Sequence, residues 1–75
     1  MTGLDARIRV GLRIKELRAA TGMSQEAFAN SINMARTYFA EVETGKRNVS
    51  ILNVQRIAEG LGVSLDQFFS GEYFQ

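Results

Sequence analysis

Arg36, Thr37 and Tyr38 stand together in the chain, and Thr44, Lys46, Arg47 and Asn48 follow within one short polar stretch. These side chains bring charge and hydrogen bonds rather than nucleophiles. Arginine can set two parallel donors on the O6 and N7 of a guanine, and threonine can touch a thymine methyl. A Lys-Arg pair on a loop suits phosphate oxygens, contacts that position a protein without reading sequence. Each also has a plainer reading. Arg36 and the Lys46-Arg47 pair are solvated charges in that case, and Tyr38 lays its ring on the surface or rests its hydroxyl on a phosphate. Groups for catalysis are scarce. The chain has no Cys and no His, which excludes disulfides, thiolate metal sites, thiol nucleophiles and histidine-based triads. Glu41 and Glu43 are two apart, so on a helix they do not face each other as an acid–base pair. No enzyme activity, no cofactor and no metal are expected.

The elements that must hold these side chains are helices. No stretch alternates apolar and polar residues long enough for a strand, and helical periodicity runs throughout. A first helix is expected over about 4–21, with Val10, Ile14 and Leu17 on one face and Gly22 as its stop. Ser24 is a candidate N-cap for a short helix reaching Ile32, with Phe28, Ala29 and Ile32 facing in. After a tight turn at Asn33 and Met34, a third helix runs over about 36–44 with Phe39 and Val42 inward, and Gly45 ends it. Ser50 caps a fourth helix reaching Leu61, with Ile51, Val54, Ala58 and Leu61 as its apolar stripe. Gly62 breaks it. Ser64 with Gln67 three residues later forms a capping box for a last short helix through Phe69.

Seventy-five residues make one domain, 45% hydrophobic and 23% charged, which is the composition of a soluble globular chain. A chain this short buries only about 60% of its unfolded surface, and with disulfides and the usual metal ligands absent, oligomerisation is the remaining source of extra stability. No apolar run approaches the ~18 residues of a membrane span, and the start is not that of a secretory signal, so a cytoplasmic location is expected. The net charge of +1 hides an asymmetry. Residues 1–48 carry eight basic and five acidic side chains, net +3, and residues 49–75 carry Arg56 against Glu59, Asp66 and Glu72, net −2. A basic front and an acidic rear suit an anionic partner at the front.

Two short helices joined by a tight turn have a physical use. The first braces against the core and the second presents its start to the DNA major groove. A small residue is needed where they meet, and Ala29 stands there. Here the residues resemble a family. Ser-Gln-Glu-Ala-Phe-Ala (24–29), Arg-Thr-Tyr-Phe-Ala-Glu-Val-Glu-Thr-Gly-Lys-Arg-Asn (36–48) and Ile-Ala-Glu-Gly-Leu-Gly-Val-Ser-Leu (57–65) resemble the phage-repressor-like helix-turn-helix regulators over about residues 10–69. Arg-Thr-Tyr followed by Arg-Asn-Val-Ser-Ile-Leu-Asn (47–53) is similar to the controller proteins of restriction–modification systems.

The resemblance implies an all-α, compact five-helix domain over 1–75, with the helix-turn-helix at about 24–44. It implies a homodimer on a pseudo-palindromic double-stranded DNA operator, regulating its own and a linked endonuclease gene. DNA contacts implied are Ser24, Gln25, Arg36, Thr37, Tyr38, Thr44, Lys46, Arg47 and Asn48, with Gln25 on a phosphate and buttressing the recognition helix. Arg18 and Glu43 are implied as a structural ion pair. One departure stands out: the family usually has Ser, Thr or Asp where Ala35 stands, and alanine cannot cap. Asn33, which tolerates a left-handed backbone and caps well, is a substitute if the helix start shifts.

Residues 49–75 read as a dimerisation region, with Ile51, Leu52, Phe68 and Phe69 as its surface, because clustered exposed apolar side chains mark interaction sites. The plainer reading closes Leu52 and one Phe over the small core. RNA polymerase is a possible further partner, since occupancy of an operator blocks or recruits it, and no small-molecule ligand is expected. Two alternatives have the same fold: an antitoxin that also binds a toxin protein, and a pure protein-interaction module that binds no DNA.

Overall fold

Four polar caps and two glycines divide the chain, and the computed structural model, which describes residues 5–75, follows that punctuation. Five α-helices succeed one another: α1 (Ala6–Thr21), α2 (Gln25–Ser31), α3 (Arg36–Glu43), α4 (Ile51–Leu61) and α5 (Leu65–Phe68), before a closing 3-10 turn at Glu72–Phe74. No strand occurs among the described residues. The fold is all-α. Asp5 caps α1, accepting the Arg7 backbone N–H at 2.8 Å and its Nε at 2.9 Å. The Arg7 side chain thereby holds the Asp5 carboxyl below the usual carboxylate range. The expected start at Leu4 lies outside the described residues. Ser24, Ser50 and Ser64 cap α2, α4 and α5, the last within a full capping box with Gln67. Gly22 and Gly62 end α1 and α4 at φ +78°, a left-handed turn that costs a glycine little.

Three expected boundaries run one residue long. Helices α2, α3 and α5 stop at Ser31, Glu43 and Phe68, and Ile32, Thr44 and Phe69 become their C-caps. The frame of α3 does not shift. Ala35 is its N-cap, extended at φ −60° and ψ 132° and without a side-chain bond. Asn33 takes φ +56° but leaves the helix start at Arg36.

The core is a single cluster. Ile14, Phe28, Phe39, Val42, Ile57 and Phe68 are its largest fully buried side chains, and the rings of Phe28 and Phe39 tilt together with centroids 5.2 Å apart. Two expectations are corrected here. Ile51 does not belong to the core stripe of α4: it lies nearly in line with Ala58 along the helix but sits in the first turn, before the packed layer, 61% exposed, and Ile57 fills the core instead. Phe68 does not belong to a dimer surface. Spaced three residues from Leu65, it shares that residue's inward face and is wholly buried, leaving Phe69 at the surface. Arg13 locks this end of the chain, donating Nε to the Phe68 carbonyl and Nη2 to the Gln67 carbonyl, each at 2.8 Å. Phe74 packs back against Phe69, with centroids 5.0 Å apart.

Helix α1 crosses the C-terminal end of α3 at Gly11. A Cβ there would run into the Glu43 carbonyl oxygen and come within 2.7 Å of the Val42 carbonyl oxygen. Backbone on both sides cannot give way as a side-chain tip can. Gly11→Ala is therefore expected to destabilise the domain by about 1–3 kcal/mol, as overpacking does, although alanine is the better helix former; urea unfolding measures it.

Candidate nucleic-acid interface

The turn between α2 and α3 is set by backbone bonds and one buried methyl. The Met34 N–H donates to the Ala29 carbonyl at 2.9 Å, and Asn33 N–H to Asn30 at 3.1 Å. Ala29 is fully buried where the two helices meet. Helix α3 then buries Phe39, Val42 and Glu43 and turns Arg36 and Thr37 to solvent. With Ala35 unable to accept, its first-turn N–H groups have no side-chain cap, the arrangement that favours an anion at a helix start. A shallow depression runs along this side of the molecule, lined by Gln25, Arg36, Thr37, Ala40, Glu41, Thr44 and Lys46. It brings together residues more than twenty apart in the chain.

Beneath the depression lies one buried carboxylate. Glu43, its side chain 2% exposed, accepts Arg18 Nε at 2.5 Å and Nη2 at 3.2 Å. Gln25 Nε2 adds a third donor at 2.7 Å. Arg18 also donates Nη1 to the Met23 carbonyl at 2.8 Å. One carboxylate thus ties α1, α2 and α3 together, with Gln25 of α2 bonded directly to α3.

The remaining sequence-derived positions fall as follows. Ser24 spends its hydroxyl on the Ala27 N–H, at 3.1 Å. Thr44 is exposed and turns its hydroxyl back to the Ala40 and Glu41 carbonyls, each at 3.2 Å. Lys46, Arg47 and Asn48 are exposed on the loop after α3. Arg47 donates Nε to Glu41 at 2.7 Å and stacks over the Tyr38 ring, 5.3 Å from its centroid. Tyr38 is half-buried, its hydroxyl bonded to Asn53 of α4 at 3.0 Å. Away from the depression's lining, Ile51 and Leu52 are 61% and 69% exposed and Phe69 37%.

Sequence reasoning missed Asn53 and Arg56. Arg56 donates Nη2 to the Ile32 carbonyl at 2.8 Å and the Asn33 carbonyl at 3.2 Å, clasping the turn from α4. A signal was present: Arg56 is the one basic residue in an otherwise acidic rear segment.

A helix-turn-helix braced in this way, with its basic and polar start exposed, defines a class. The helix-turn-helix family model matches residues 14–68, and the chain belongs to that family of DNA-binding transcription regulators. Within it, the chain is similar to restriction–modification controller proteins. It is 48% identical to the control protein C.MunI of a Mycoplasma species, over 88% of this chain and 90% of that protein. Identity to the control protein C.BamHI of Bacillus amyloliquefaciens is 38%, over 79% and 74% respectively. The crystal structure of the controller protein C.AhdI from Aeromonas hydrophila superposes with a TM-score of 0.79 at 38% identity, covering 84% of this chain and 96% of that one. The controller protein C.Esp1396I, solved as a tetramer with its natural 35 base-pair operator, gives the same TM-score and identity, covering 84% and 83%.

Removing Arg18 leaves the buried Glu43 carboxylate without its charged partner. Arg18→Ala is expected to lower the unfolding free energy by about 3–5 kcal/mol, read by thermal or urea denaturation.

Proposed function

We propose that this chain is a controller-type regulator that binds a pseudo-palindromic operator as a homodimer and governs its own gene and a linked restriction endonuclease gene. The observation that carries this reading is the depression shared by Gln25, Arg36, Thr37, Thr44 and Lys46 around the uncapped start of α3. Arg36 and Thr37 meet base edges there, Arg36 as a two-pronged donor to guanine. Gln25, Thr44, Lys46, Arg47 and Asn48 hold phosphates on either side. The similarity to C.MunI and C.BamHI supports the restriction–modification assignment.

Ile51, Leu52 and Phe69 form the dimer surface, while Phe68, against Phe69, belongs to the core. A twofold axis there makes the patch self-complementary and sets two recognition helices about 34 Å apart, one turn of DNA. C.Esp1396I, a tetramer on 35 base pairs, supports the further step of two such dimers side by side. Control is by occupancy: the bound protein blocks or recruits RNA polymerase according to where the operator lies. No helix among the described residues is long and apolar enough to cross a membrane, which agrees with action in the cytoplasm.

The test is binding to the DNA upstream of the chain's own gene across a salt series. Wild type is expected to bind with a steep salt slope. Arg36→Ala is expected to lose about 1–3 kcal/mol on that DNA alone, and Leu52→Glu to lose the dimer and tight binding together. Binding no stronger than to unrelated DNA, or an Arg36→Ala loss equal on both, contradicts the reading.

A further inference from the structure

Four polar side chains form a chain across the boundary between α4 and the proposed DNA face. Arg56 reaches the Ile32 and Asn33 carbonyls with Nη2 and the Asn53 amide oxygen with Nη1, the latter at 3.3 Å. Asn53 donates Nδ2 to the Tyr38 hydroxyl at 3.0 Å. Tyr38 carries the Arg47 guanidinium over its ring.

The chemistry of the groups gives this chain a direction. Arginine has donors only, so whatever faces Arg56 must accept. The Asn53 amide oxygen therefore faces Arg56, and its nitrogen faces Tyr38. The Tyr38 oxygen is then an acceptor in that bond, and its own proton is left to point elsewhere. With the ring half-buried and one face covered by Arg47, the phenol is held in place and its outward bond has a defined sense.

We propose that Asn53 and Arg56 are positioning residues that fix the Tyr38 hydroxyl as a hydrogen-bond donor toward DNA. Its target is an acceptor atom, either a base-edge nitrogen or oxygen in the major groove or a phosphate oxygen. The device sits in the helix whose first turn carries Ile51 and Leu52, so the seat of the dimer and the polarity of a DNA contact share one element. This inference rests on the reading of the α3 face as the DNA surface.

A double-mutant cycle tests it, with full-length protein titrated onto the upstream DNA and onto unrelated duplex. Tyr38→Phe is expected to weaken binding about fivefold to tenfold, the worth of one hydrogen bond. A loss confined to the upstream DNA assigns the acceptor to a base edge, and an equal loss on both duplexes assigns it to a phosphate; either supports a donor. Asn53→Ala is expected to give a loss of the same size and pattern, and to add nothing in the Tyr38→Phe background. Circular dichroism melting separates this from unfolding. Should Asn53→Ala fold poorly, Asn53→Asp serves: it keeps the shape and the Arg56 bond but accepts from the phenol, and its penalty is expected to shrink in the Tyr38→Phe background. If Tyr38→Phe binds as wild type does, the DNA-facing reading of Tyr38 fails and the proposal falls with it. If Tyr38→Phe weakens binding while the Asn53 losses multiply with it or are absent, Tyr38 stays on DNA and the positioning role is overturned.

Discussion

The carboxylate of Glu43 is the constraint around which the three front helices are arranged. A buried charge is costly unless it is paired and hydrogen-bonded, and this one is met by three donors from two other helices: two from Arg18 in α1 and one from Gln25 in α2. Satisfying all of them admits little freedom in how α1, α2 and α3 cross. Gly11 acts at the same point through the backbone, letting α1 close on the Glu43 carbonyl. The geometry of the exposed side of α3 follows from the bonds on its buried end.

What that side offers is a surface rather than a cavity for chemistry. The depression is shallow and its polar lining is mostly donor groups, with the cations Arg36 and Lys46 among them, while Arg47 is held between Glu41 and Tyr38. An anionic polymer with regularly spaced phosphates and acceptor-rich groove edges fits such a surface. The rear of the molecule does different work. Among the described residues the most exposed large apolar side chains are Ile51 and Leu52 on the first turn of α4, with Ile8 and Phe69 less so, and α4 also reaches forward through Asn53 and Arg56. Under the proposed function, assembly and reading of DNA are connected through one eleven-residue helix.

Much of this was legible in the sequence, for local reasons. Ser24, Ser50 and Ser64 announce helix starts because their hydroxyls satisfy free N–H groups, and Gly22 and Gly62 announce ends because they accept left-handed backbone. The exposed start of α3 could be located from Ala29, Phe39 and Val42 alone. Other features depend on where helices meet, which spacing along one helix does not reveal. Phe68 and Phe69 are equal as neighbours in sequence, and only the packing of α5 buries one of them. Ile51 and Ile57 both fit the stripe of α4, and only the edge of the core separates them. Asn53 and Arg56 bond to residues 15 to 24 positions away, beyond any local pattern. Gly11 is unremarkable inside a helix until a second backbone is placed against it.

The measurement that tests the central claim most directly is a map of backbone amide chemical shifts as an upstream DNA duplex is added to the labelled protein. The account predicts that the largest changes cluster at residues 24–25, 36–38 and 44–48, with Ile51, Leu52 and Phe69, the proposed dimer surface, little affected. Changes concentrated instead on α1 or on the exposed side of α4 and α5, with the start of α3 unmoved, would contradict it.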